Sequence, residues 1–180
     1  GGATWDTITS TFFTADFNQV NDIAVHPLTG DVYAATRGTN GNAGGILRST
    51  NQGATWTTVL GTNTTPVSSP SNRGADIEIA SDNYIYVTLG YSETGGIYRS
   101  LTGDAGDWDE ITTGIDIKAT QRIELAVAPS SPAILYCAAE DTTSENDVLG
   151  LYKSTDRGNT WTTITTPMRD ATTSFATGQA

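Results

Sequence analysis

Cysteine, methionine and histidine each occur once in this 180-residue chain. A single cysteine excludes an intramolecular disulfide and a cysteine-built metal site. Cys137 lies in the apolar run Ile134-Leu135-Tyr136-Cys137-Ala138 and reads as a small buried side chain, with no histidine or cation close in sequence to activate its thiol. His26 precedes Pro27 at a strand end and has no serine or cysteine nucleophile beside it, so it reads as structural. Basic residues are scarce and scattered, 9 Lys and Arg against 20 Asp and Glu, and the net charge of -11 repels a nucleic-acid backbone or an anionic membrane. No run of 18 apolar residues is present to span a bilayer as a helix. The chain opens with neither Met nor a basic-then-apolar leader, and no helix of convincing length is legible. A cysteine-poor, acidic composition rich in Thr, Asn and Gly suits a secreted, extracellular bacterial protein.

What the chain does have is a period. Trp5, Trp56, Trp108 and Trp161 fall 51, 52 and 53 residues apart. Each of the last three follows a turn-rich segment, and that segment follows a glycine-led apolar stretch: Gly45-Ile46-Leu47-Arg48, Gly96-Ile97-Tyr98-Arg99 and Gly150-Leu151-Tyr152-Lys153. Upstream, Val32-Tyr33-Ala34-Ala35, Ile85-Tyr86-Val87-Thr88 and Leu135-Tyr136-Cys137-Ala138 form a second family of strands. Ile23-Ala24-Val25, Ile77-Glu78-Ile79 and Ile123-Glu124-Leu125-Ala126-Val127 form a third. A fourth starts at each tryptophan: Trp5-Asp6-Thr7-Ile8, Trp56-Thr57-Thr58-Val59, Trp108-Asp109-Glu110-Ile111 and Trp161-Thr162-Thr163-Ile164. Four short strands per period, β-branched and aromatic and bounded by Gly, Asn, Asp, Ser and Pro, are the content of one blade of a β-propeller.

The segment before each tryptophan explains itself physically. In Ser154-Thr155-Asp156-Arg157-Gly158-Asn159-Thr160-Trp161 the Asp156 carboxylate and the Ser154 hydroxyl can accept amides inside the bend, and Gly158 supplies a positive φ. Trp161 can then fold back and bury its ring. Ser49, Asn51, Gly53 and Trp56 repeat the pattern with an amide in place of the acid. The segment Ser100 to Trp108, with Asp104, carries one residue too many, and Gly2-Ala3-Thr4-Trp5 repeats only the closing part. This S-x-D-x-G-x-x-W pattern resembles the Asp-box of bacterial-neuraminidase repeats, found in propellers of sialidases, of xyloglucan-hydrolysing glycoside hydrolases and of sortilin-type receptors. The resemblance covers nearly the whole chain. It implies an all-β chain of propeller blades in which the boxes are structural turns on the blade periphery.

Counted this way, residues 1–19 hold the last strand of a preceding blade and a linker, 20–71, 72–120 and 121–167 are three blades, and 168–180 lead toward a further one. Propellers use about four to eight blades, and three alone leave two apolar faces open. The expectation is an incomplete propeller segment whose partners are the remaining blades of the same ring or a second copy of the chain.

Catalysis is the sharper hypothesis. A glycoside hydrolase needs two carboxylates about 5 to 10 Å apart. Xyloglucanase-like enzymes, by the resemblance, carry an acid soon after the second strand of a blade in a T-D-x-G-G stretch. The matching Thr36-Arg37-Gly38 has Gly38 where that acid belongs, and extra residues follow. In the third blade Glu140 and Asp141 follow the equivalent strand and are the catalytic candidates. A sialidase would need an arginine triad and an Arg-Ile-Pro segment, which is absent; Arg48, Arg99 and Lys153 instead repeat at one blade position, which suits a structural use. Asp104-Ala105-Gly106-Asp107-Trp108-Asp109-Glu110 lacks the spacing of a calcium loop, so no metal and no cofactor is implied. Asn63-Thr64-Thr65 is a single glycosylation sequon.

The alternative is an extracellular binding or scaffold module. Its ligand-facing groups would be Arg37, Asn40, Asn42, Tyr91, Glu93, Glu140 and Asp141, in the polar loops between second and third strands. A glycan or a cell-surface protein fits such loops. The sequence favours this reading over a hydrolase.

Overall fold

In the computed structural model the described residues are 2–38, 44–61, 64, 73–90, 95–115, 117, 120–141 and 148–164, without the side chains of residues 121 and 141. They form three four-stranded antiparallel sheets. Gln19–Val25 (β1), Val32–Arg37 (β2), Gly44–Ser49 (β3) and Thr57–Leu60 (β4) make the first. Gly74–Ile79 (β5), Ile85–Leu89 (β6), Gly96–Ser100 (β7) and Asp109–Glu110 (β8) make the second; Thr120–Val127 (β9), Leu135–Asp141 (β10), Val148–Ser154 (β11) and Thr162–Ile164 (β12) make the third. Each sheet is a meander in chain order, so every connection is a hairpin. Two one-turn 3-10 helices, Thr9–Thr11 and Ala15–Phe17, precede the first sheet.

The repeat seen in the tryptophans extends to the cross-strand register. Tyr33, Tyr86 and Tyr136 lie opposite Arg48, Arg99 and Lys153, and Asp22, Asp76 and Glu124 lie opposite Ala35, Thr88 and Ala138. Because side chains alternate along a strand, one residue of slip would send every apolar group to the wrong face. The second sheet shows the alternation from inside. All five residues of β6 are buried: Ile85, Val87 and Leu89 pack toward the first sheet with Tyr33, Ile46, Leu60 and Trp108, while Tyr86 packs toward the third with Leu125, Cys137 and Trp161. A strand covered on both faces reads as a continuous apolar run, as this one does. The two apolar clusters lie between neighbouring sheets, so each sheet is stabilised by the next.

The two outer faces are open. On the first sheet Val20, Ile23, Val25 and Leu28 are exposed, and on the third Tyr136, Val148 and Leu149 are. Residues 5–8 differ from expectation: they carry no regular secondary structure and lead into a 3-10 turn, and Trp5 is 87% exposed. A strand forms against a hydrogen-bonding neighbour, and no described strand pairs with this segment. Among the described residues no helix is long and apolar enough to cross a membrane.

Candidate functional site

The first strands β1, β5 and β9 lie side by side and carry a row of carboxylates: Asp22, Asp76, Glu78 and Glu124. A β-bulge between Val20 and Asp22, and another between Gly74 and Asp76, precedes the first two acids. Such a bulge twists a strand locally and re-aims the side chain that follows. The consequence is a joint repeated between sheets. Asp22 Oδ2 accepts the main-chain amide of Ile77 at 3.0 Å, and Asp76 Oδ2 accepts that of Leu125 at 2.6 Å. In both cases the acid of one sheet meets the amide that directly follows the equivalent acid of the next. Asn21 adds a bond from its side-chain amide to Gly74 O at 2.7 Å. Gly74 has no Cβ because one would strike Gly45 O and the backbone of Ala35, and that close approach lets the strands meet.

Electrostatics distinguishes these acids. Burial pushes the Asp76 carboxyl up to about 7, the Leu125 amide opposing it, while Glu124, Asp22 and Glu78 raise it further. Glu78 is raised as well, by burial and then by Asp22 and Glu124. Asp76 therefore enters the joint as a neutral or half-ionised acid near pH 7, a state in which its carbonyl oxygen still accepts an amide. Among the described residues no three His, Cys, Asp or Glu side chains group as metal ligands. The row was missed in the sequence because an acid within a strand looks like one that faces water.

The peripheral turns are built as follows. Ser154 Oγ accepts the amides of Asp156 and Gly158 at 3.2 and 2.8 Å, and Asp156 accepts the amide and hydroxyl of Thr160 at 2.8 and 2.6 Å. These bonds hold the Asp156 carboxyl below its usual range, the Thr160 hydroxyl first among them. The turn at Ser49 uses the same plan, with Thr55 N donating to Asn51 Oδ1 at 2.9 Å and Gly53 N to Ser49 Oγ at 2.8 Å. In the longer third turn Ser100 Oγ accepts Thr102 and Gly103 amides instead. Asp104 there is turned toward the first sheet, receiving Arg48 Nη1 at 2.6 Å, while Thr102 holds the position two residues after the serine where the other turns place their acceptor. Arg48 also pairs with buried Asp31 at 2.6 Å, and Arg99 reaches Arg157 O at 2.8 Å, so these cations tie one sheet to the turn of the next. Gly2 lies at φ +82 beside the exposed Trp5 ring, and half-buried Trp56 meets Phe17 edge-on at 5.0 Å.

The remaining sequence candidates are placed unevenly. Arg37 ends β2 half-buried and bridges to Arg73. Glu140 is half-buried at a bulge of β10, opposite Val148. Asp141 pairs by backbone with Thr120, its side chain lying outside the described residues, as do Asn40, Asn42, Tyr91, Glu93 and the sequon residues Asn63 and Thr65. His26 is buried, and its Nδ1 accepts the amides of Leu28 and Thr29 at 3.3 and 3.4 Å, a turn-holding role. Cys137 is buried, and its thiol is pushed up to about 12 by burial.

No protein-family model and no curated protein matches the chain. Among solved structures, a glycoside hydrolase family 74 enzyme of Niastella koreensis aligns with a TM-score of 0.59 at 24% identity, over 83% of this chain and 23% of that one. A Hadza microbial sialidase aligns at 0.52 and 19% identity, over 83% and 35%, and a chain of a nidogen/laminin complex at 0.50 and 15%, over 80% and 47%. The chain thus spans less than half the length of each. At these identities the likeness establishes the fold.

Proposed function

We propose that this incomplete β-propeller segment of three blades is completed into a ring by further blades. We propose that the chain serves as a binding or scaffold module of a secreted bacterial propeller, recognising a carbohydrate or a protein through the loops between second and third strands. The observation that carries this reading is the use made of the inner carboxylates. Buried Asp76 and half-buried Asp22 are spent on main-chain amides of the neighbouring blade, buried Asp31 is paired with Arg48, and Gly38 follows β2 where a xyloglucanase-like acid would sit. The acidic, cysteine-poor composition supports an extracellular setting.

The second reading is a part of a propeller glycoside hydrolase. Glu140, half-buried at the end of β10, favours it, together with the fold shared with a family 74 enzyme. A glycan array probed with the full chain, run beside a reducing-sugar assay on xyloglucan and sialylated glycans, separates the two. Retention of a glycan without release of sugar is expected. Hydrolysis abolished by Glu140→Gln would overturn the binding reading.

A further inference from the structure

The same joint is made twice inside the molecule, and its two halves are left open at opposite ends. Its receiving half is a rung of tyrosine and cation beside an acid. Tyr33 and Tyr86 are 1% and 0% exposed under the next sheet, whereas Tyr136, at the same register position, is 41% exposed. Arg48 lies over Tyr33 and reaches the next turn; Arg99 reaches the next turn in the same way; Lys153 lies over Tyr136 at 5.7 Å. Asp22 and Asp76 hold the next sheet's amide, and Glu124 occupies their position, pairing with Arg122 on its own strand. An open apolar cleft of about 180 Å³ on this face is lined in part by Glu124, Tyr136, Ala138, Leu151 and Ile164. The donating half is on the first sheet. Ile77 and Leu125 are 5% and 6% exposed against the preceding sheet, while Ile23, at their position, is 58% exposed.

We propose that the open face of the third sheet receives the first sheet of a second copy of this chain, head to tail, in the register of the two internal joints. Glu124 accepts the main-chain amide of Ile23, Lys153 reaches the Asn51 turn, and Ile23 and Val25 cover Tyr136 and Leu151. The occupant is a copy because, among the described residues, the first sheet alone presents an uncovered donating half, and it matches the receiving half position for position. One adjustment is required. Gly53 is now covered by Ile8, as Gly158 is covered by Ile111. Ile8 belongs to a segment in which Trp5 and Phe13 are 87% and 107% exposed and which Ser10 ties to Gly53 O, and Ile164 of the copy takes the place of Ile8. The joint is heterologous, so copies associate into rings or short chains, not face-to-face pairs.

Sedimentation velocity over a micromolar concentration series tests this on the unmodified chain. The weight-average mass is expected to at least double with concentration. Glu124→Lys and Ile23→Asp each damage one half, so each variant alone remains monomeric, and an equimolar mixture forms a dimer through its one intact joint. A chain monomeric throughout overturns the proposal. So does a mixture that stays monomeric, or an Ile23→Asp variant that still self-associates. Should either variant fail to fold by circular dichroism, Ile23→Cys mixed with Glu124→Cys replaces the pair. A disulfide between copies under mild oxidation supports the joint, and its absence overturns it.

Discussion

Trp161 of the third blade donates its indole N–H to the main-chain oxygen of Ile111, 2.7 Å away at the end of the second blade. The ring that follows the peripheral turn is thus a rivet between blades as well as a cover for its own hairpin. Trp161→Phe keeps most of the apolar area and leaves the Ile111 carbonyl without its donor, at a cost of about 1–3 kcal/mol. Trp161→Ala also opens a cavity and costs about 3–5 kcal/mol. Trp5→Ala, at the matching repeat position but with an exposed ring, should lie within about 0.5 kcal/mol of the parent. Urea unfolding followed by circular dichroism gives all three values. An order in which Trp5→Ala equals Trp161→Ala would remove the rivet.

Stability falls with rising pH through Asp76. Its folded pKa is raised from 3.8 to about 7, by burial first, with Glu124 on β9, Asp22 on β1 and Glu78 on β5 adding in the same direction. Folding therefore takes up a proton. The stabilisation is complete below the unfolded pKa and is lost as pH climbs through about 7. Asp76→Asn keeps an oxygen for the Leu125 amide and cannot ionise. Its urea midpoint is expected to change less than the parent's between about pH 5 and pH 8, and to exceed it at the upper end. Parallel curves for the two proteins would contradict the assignment.

Much of this architecture was legible because hairpins are local. The tryptophan period, the glycine-led third strands and the Tyr-containing second strands each lie within one blade, where turn chemistry and alternation act over a few residues. The joints between blades were not legible. Asp22 and Asp76 sit in strands as ordinary acids do, and the bulges that aim them leave no composition signal. The reach of Asp104 toward Arg48 joins residues 56 apart in sequence, beyond any local pattern. Trp5 to Ile8 shows the converse: the local pattern of a strand is present, and no neighbouring strand pairs with it.

Asn51 and Asp156 perform one task with different charge, which sets up a direct comparison. Each accepts the amide four residues on, Thr55 at 2.9 Å and Thr160 at 2.8 Å. Asp156→Asn should stay close to the parent at neutral pH, and Asp156→Ala should unfold at lower urea. The lowered Asp156 pKa means that its contribution is present above the usual aspartate range and lost as pH falls through the folded value. The gap between parent and Asp156→Ala should accordingly narrow in acid. A thermal-melt series in pH reads this, and a constant gap would refute it.

Cys137 should be chemically silent in the folded protein. Burial raises its thiol to about 12, with the Asp76 carboxylate adding to the effect, so almost no thiolate exists at mildly alkaline pH. An aromatic disulfide reagent is expected to label the chain only in denaturing urea. Rapid labelling of the native chain would show that the second and third blades separate on the timescale of the assay.

Gly158 combines two constraints that substitution can separate. Its φ is +86, and a Cβ built on it would overlap Cδ1 of Ile111, the residue whose carbonyl Trp161 also uses. Gly30 has a similar φ of +76 with nothing within 4 Å of the added atom. Gly30→Ala therefore measures backbone strain alone, about 1–2 kcal/mol, and Gly158→Ala must cost more by the amount of the clash. Ile111→Val removes the offending methyl at about 0.5–1.5 kcal/mol. If the clash carries the excess, the double variant Gly158→Ala with Ile111→Val is less destabilised than the sum of its parts. Strict additivity would assign the whole cost of Gly158→Ala to its φ, and the contact between the second blade and the third blade's turn would then carry no packing constraint.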